Sequence, residues 1–73
     1  MEVKIVVVTD DESLFQAMYV DGEFKQSDDT IYASDIEDAA AGRPIMLSTM
    51  SVELPESGDF PKTLEKCMQL VVS

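Results

Sequence analysis

The sequence predicts one small α+β domain, residues 1–73, with a three- to four-stranded, mostly antiparallel sheet and two helices in the order ββ(β)αβα. Three features predict it. Residues 3–9, VKIVVVT, are a run of β-branched side chains. Asp21-Gly22 stands between two short apolar runs and is the dipeptide of a two-residue hairpin turn. Two later segments each carry a capping residue, an apolar stripe and proline or glycine punctuation, which marks short helices.

In the first strand Val3, Ile5 and Val7 share one face, and Val6 and Val8 share the other. A strand apolar on both faces belongs at the centre of a sheet and is covered twice. In so short a chain the second cover is expected from another copy, so a homodimer is expected.

Residues 14–26, LFQAMYVDGEFKQ, read as a hairpin. A type I′ turn needs φ > 0 at both central positions, which Asp and Gly supply. The rival reading is a helix over residues 10–19. Thr9 and Glu12 fit a capping box, and Leu14, Phe15, Met18 and Tyr19 share a helical face. That helix would have to stop abruptly before Val20.

Residues 30–33, TIYA, read as a strand end, and Ser34 as the N-cap of the first helix, with Glu37 completing a capping box. Ile36, Ala39 and Ala40 form its apolar stripe. Gly42 sits at the αL C-cap position and Pro44 blocks continuation. Residues 44–54 read as another strand, with Met46, Met50, Val52 and Leu54 alternating with more polar neighbours, apart from Leu47. Residues 55–59, PESGD, read as a loop. Asp59 then caps a last helix with Pro61 in its first turn, and Phe60, Leu64, Cys67, Met68 and Val71 fall on one helical face. The closing LVVS is expected to dock on the domain, and both helices are expected on one face of the sheet.

The run YVDGE, leading through DDTIYASDI to a short helix, resembles a group of short bacterial proteins of unknown function that share a Tyr-Val-Asp-Gly hairpin followed by a small helix. The resemblance covers about residues 18–40 and implies no chemistry. This chain is more acidic after the hairpin than the resemblance would lead one to expect.

Fifteen acidic residues against five basic ones give a net charge of −10. Such a chain is repelled by nucleic acid and by anionic membranes, so direct binding to either is not expected. The single cysteine argues against a disulfide framework. With no signal-peptide pattern and no long apolar segment, the sequence reads as soluble and cytoplasmic.

Catalysis finds little support. There is no histidine, which removes the usual base, a common metal ligand and the histidine-activated nucleophiles. Cys67 lies on an apolar helical face and reads as a packing thiol. No phosphate-binding glycine motif is present, and DGEFKQSDDTIY from Asp21 does not match a calcium-binding EF-hand loop. No enzyme activity, cofactor or metal is expected.

The acids are unevenly placed. Residues 10–38 hold ten acids and one base, Lys25, so this span is nine units negative, whereas residues 39–73 hold four acids and three bases. Asp35, Glu37 and Asp38 have a local reason, since acids in a first helical turn each stabilise it by about 0.3–1 kcal/mol. The turns at Asp10–Glu12 and Asp21–Glu23 and the helix start are positions expected to face water.

Carboxylates two apart on a strand lie about 6.8 Å from each other, and those three apart on a helix about 5–6 Å. Those spacings are comparable to phosphate spacing on a nucleic-acid strand. The expected function is therefore a small acidic protein-binding module, in its sharpest form a nucleic-acid mimic that inhibits a nucleic-acid-binding protein. The chain resembles anti-restriction and anti-CRISPR inhibitors in size and charge, with no shared motif. The expected partner-binding residues are Asp21, Glu23, Asp28, Asp29, Asp35 and Asp38. The alternative is an accessory or housekeeping subunit whose acidity serves solubility.

Overall fold

The computed structural model describes residues 2–55 and 58–71. Its order is β1 (Val3–Asp10), β2 (Gln16–Val20), β3 (Glu23–Asp28), α1 (Ala33–Ala40), β4 (Ile45–Val52) and α2 (Leu64–Met68). The four strands form one mixed sheet in the spatial order β3-β2-β1-β4. β1–β2 and β2–β3 are antiparallel and β1–β4 is parallel. The domain is α+β, as the sequence predicts.

β1 lies inside the sheet, and its two apolar faces build two cores. On one face Val3 and Ile5 pack with Met18 and Ala40, and Ile31, Ile36 and Ala39 close over them. On the other, Val6 and Val8 pack with Tyr19, Val52 and Cys67 beneath Phe24, Phe60, Leu64 and Leu70. The helices therefore lie on opposite faces, not on one. A central strand apolar on both sides needs cover on both, and the chain supplies each from itself. The cover expected from a second copy over β1 is not needed.

The hairpin forms at Asp21-Gly22, with φ of 51° and 90°, and the helical reading of residues 10–19 is wrong. Asp21 Oδ1 accepts a hydrogen bond from the Lys4 N–H at 3.1 Å, and its own N–H donates to the Lys4 carbonyl at 2.8 Å. The turn is thereby tied to β1. β2 and β3 also shift register between Met18 and Tyr19.

Beyond β3, residues 30–32 are not strand. α1 begins one residue before Ser34, with Tyr32 as N-cap. The bond that completes the cap comes from Asp35, whose Oδ2 accepts the Tyr32 N–H at 2.9 Å. Glu37 is two residues too far along to do it. The left-handed C-cap is Ala41 (φ 53°), one residue before Gly42 (φ 82°). β3 and β4 both run parallel to β1, so the chain must return along the sheet between them, and α1 is that crossover.

The last segment departs most from expectation. The stripe from Phe60 to Val71 is not one helix: α2 spans five residues with Thr63 as N-cap, and Met68 and Val71 are exposed. Before the helix the chain runs along the edge of β3. Phe24 N–H donates to the Lys62 carbonyl at 2.9 Å, and Thr63 bridges Glu23. After it, Glu53 N–H donates to the Leu70 carbonyl at 3.0 Å and Val71 bridges Val52. Residues 60–71 thus strap one face from the β3 edge to the β4 edge. Those backbone pairings outcompete the extra helical turns. Phe60, Leu64 and Cys67 pack inward as the stripe predicts. Parts of the expected 55–59 loop and of the LVVS terminus, residues 56, 57, 72 and 73, lie outside the described residues. Among the described residues no helix is long and apolar enough to cross a membrane.

A Cβ on Gly22 meets nothing within 4 Å, so its substitution tests φ alone. Gly22→Ala should destabilise by about 1–2 kcal/mol and Gly22→Val by more, since left-handed backbone disfavours a Cβ and most of all a branched one. Gly22→Asn should be the mildest. Thermal melts check the order, at roughly 4–8 °C per kcal/mol for a domain of this size.

Candidate functional site

The β registers divide the acidic residues between the two ends of the sheet. At one end lie the Asp21-Gly22 turn and the starts of β1 and β4. At the other lie the β1–β2 loop, the end of β3, the end of β4 and the start of α1. Gln16, which opens β2, faces both Thr9 and Asp28, and its Oε1 accepts the Ile31 N–H at 2.7 Å. This second end therefore collects Asp11, Glu12, Asp28, Asp29, Asp35 and Glu53. All but the half-buried Asp35 are exposed. Lys4 and Arg43 sit at the opposite end, Lys25 lies within β3, and Lys62 and Lys66 belong to the C-terminal strap. The result is an acidic pole, with Lys62 near it on the strapped side, where it lines the same open cleft as Phe15 and Asp59.

The six residues expected to bind a partner are accordingly split. Asp28, Asp29 and Asp35 stand at the pole. Asp38 lies one turn further along α1. Asp21 and Glu23 are at the other end of the sheet. Asp21 is committed to Lys4 and makes the one ion pair among the described residues, with Arg43 Nη2 at 3.9 Å. Asp35 is engaged in the helix cap. Register separates these groups, and the sequence order of the acids carries no sign of it.

One carboxylate expected to face water is buried. Asp10 is 6% exposed and organises the loop that shapes the pole. Its Oδ2 accepts the Ser13 hydroxyl and the Ser13 N–H, while Oδ1 accepts the N–H groups of Glu12 and Leu54 at 3.4 Å. The Ser13 hydroxyl bond is the main reason its carboxyl titrates below the ordinary range, burial pushes the other way, and the three backbone donors add to the lowering. The Asp-x-x-Ser spacing from Asp10 to Ser13 was the available signal for this turn.

The same loop presents apolar side chains that composition alone did not mark. Leu14 is held at φ 66° and is 66% exposed, and Phe15 is 51% exposed. A bulky residue in the left-handed region is unusual and strained. Leu14 N–H donates to the Asp10 carbonyl, and Asp10 N–H to the Phe15 carbonyl, both at 2.8 Å, which holds the loop tight. Beside it an open cleft of about 610 Å³ is lined by Phe15, Leu54 and Pro55 together with Glu12 and Glu53.

Cys67 is buried against Tyr19 on the strapped face, burial pushes its thiol up, and Tyr19 is likewise raised by burial. Among the described residues no three Asp, Glu or Cys side chains come together as metal ligands would. Compared with models of known protein families, with curated proteins and with solved structures, the chain has no match in any of the three. The functional reading rests on its own residues.

Asp10 makes stability depend on acid pH. Its folded value lies below the ordinary 3.8, so its contribution is present above about pH 4 and is lost as the pH falls through the lower folded value. Asp10→Asn should be less stable at pH 7 by about 1–3 kcal/mol, because donors to a charged acceptor lose it. Its denaturation curve should converge on the native one below pH 4, and urea melts across pH check this.

Proposed function

We propose that the protein is an acidic protein-binding module that meets a basic surface through the pole formed by Asp11, Glu12, Asp28 and Asp29, with Leu14 and Phe15 as apolar anchors. The observation that carries this reading is the meeting of exposed apolar side chains with a cluster of exposed carboxylates, beside a loop that Asp10 ties down. Interfaces draw most of their energy from a few desolvated apolar or aromatic groups, while charges around them steer encounter. A monomer rarely spends backbone strain on displaying a leucine to water unless something covers it.

The partner class is a basic protein surface, and in the sharpest form the groove of a nucleic-acid-binding protein, which this pole occupies in place of phosphates. The protein then acts as an inhibitor without catalysis. The acids that serve are those of the pole. Asp21 and Glu23 point to the other end and are not part of this surface.

Recovery of partners from the host cell with immobilised protein is the test, followed by competition with duplex and single-stranded nucleic acid. Replacing Asp11, Asp28 and Asp29 with Asn should leave the melting temperature nearly unchanged, slow association about tenfold or more, and flatten its salt dependence. Phe15→Ala should instead speed dissociation with little effect on salt dependence. If both variants bind the recovered partner as the native chain does at every salt concentration, the pole is a solvated surface and the acidity serves solubility, as in an accessory subunit.

A further inference from the structure

A second surface, independent of the acidic pole, is the outer edge of β4. Val3 N–H donates to the Pro44 carbonyl and Asp11 N–H to the Val52 carbonyl, each at 2.8 Å. A parallel ladder alternates, so Met46, Ser48, Met50 and Val52 turn their backbone groups toward β1, while Ile45, Leu47, Thr49 and Ser51 turn theirs outward. The C-terminal strap takes the far end of this edge at Val52–Glu53. What is left open is Ile45–Thr49, an uncharged run. Ile45 and Leu47 are exposed on the α1 side and Met46 on the other.

Proteins blunt sheet edges with charges, prolines, bulges or a covering segment. The β3 edge has two of these: Glu23, Lys25 and Asp28 lie along it, and the strap pairs with it at Glu23 and Phe24. The open run of β4 has none.

We propose that β4 pairs antiparallel with β4 of a second copy about a two-fold axis at Leu47, joining two four-stranded sheets into one. Three observations select a second copy as the occupant. The outward-facing residues are self-complementary in this register: Ile45 meets Thr49 of the second copy, Leu47 meets Leu47, and Thr49 meets Ile45. Each such pair exchanges two backbone hydrogen bonds, about six in all. The contact is isologous and the other sheet edge is blunted, so assembly closes at two. Charge fits as well. Two chains of −10 approach best where neither carries charge, and this arrangement sets the Arg43 end of each run beside the Glu53 end of the other. It also sends the two acidic poles to opposite ends of the dimer. The homodimer expected from β1 thus returns on a different strand. A five-residue strand pair buries less than the roughly 1,200 Å² of a standard interface, so the dimer exchanges with monomer.

Sedimentation equilibrium of the native chain tests this from about 10 µM to about 1 mM, a range that spans weak affinities. The average mass should climb toward twice that of the chain. Added salt should favour the dimer by screening like net charges. Leu47→Lys should move the midpoint about tenfold or more to higher concentration, because two lysines then stand directly opposite. It lowers the net negative charge, so general repulsion cannot explain the loss. Leu47→Cys should oxidise to a disulfide-linked dimer, with the native Cys67 buried and out of reach. Ile45→Cys should not, because its mate lies about 13 Å further along the strand, beyond disulfide reach. A monomeric mass throughout the range, or cross-linking at position 45 as readily as at 47, overturns the proposal.

Discussion

The fold depends on burying β1 on both faces. Val3, Ile5 and Val8 are fully inaccessible, although they point to opposite sides of the sheet. A chain this short has two helices to spend on two faces, one of eight residues and one of five. Both go to the middle of the sheet. The exposed area of 5006 Å² exceeds the roughly 4,500 Å² expected for this size, and the start of β4, where Ile45, Met46 and Leu47 are exposed, contributes to it. Its apolar exposure follows from a shortage of cover, and so does its open edge.

The sheet also sorts charge. A strand pair carries its ends apart, so acids that are near neighbours in sequence can sit at opposite poles. Asp21 and Asp28 are seven residues apart and bracket β3. One is held by β1 and faces Arg43, while the other stands among carboxylates. The crossover helix strengthens the division, because it starts where β3 ends and places Asp35 at the acidic end. Self-repulsion at that pole is borne by a loop whose backbone is fixed by one buried carboxylate. Asp10 is thus the acid that makes the display of the others workable, binding the loop and the end of β4 to a single anchor.

As proposed, the two surfaces would respond to solution conditions in opposite senses. A pole that meets a basic partner is weakened by salt, whereas an uncharged edge between two acidic copies is helped by it. They lie on different parts of the sheet, so occupation of one leaves the other accessible. A paired molecule would present two poles facing away from each other, suited to a partner with repeated basic sites.

Local chemistry was legible in the sequence. The Asp21-Gly22 turn needs only two residues able to adopt positive φ, and β1 announces its central place by being apolar on both faces. α1 was visible from its stripe and its stop, though its cap lay two residues earlier, because the helix starts at Ala33 and Asp35, at its third position, takes the Tyr32 N–H. Cys67 was readable as a packing thiol from its helical face alone. Everything that required two distant segments to meet was decided by tertiary structure. The parallel partner of β4, the split of the helices between faces, the breaking of the last stripe into a strap, the burial of Asp10 and the division of the acids all depend on which backbone groups pair across the sheet. Residue type and spacing determine how each segment can fold. Only the register of β1 with its neighbours determines which side chains end up together, since one strand's choice of partner moves whole groups of charges from one pole to the other.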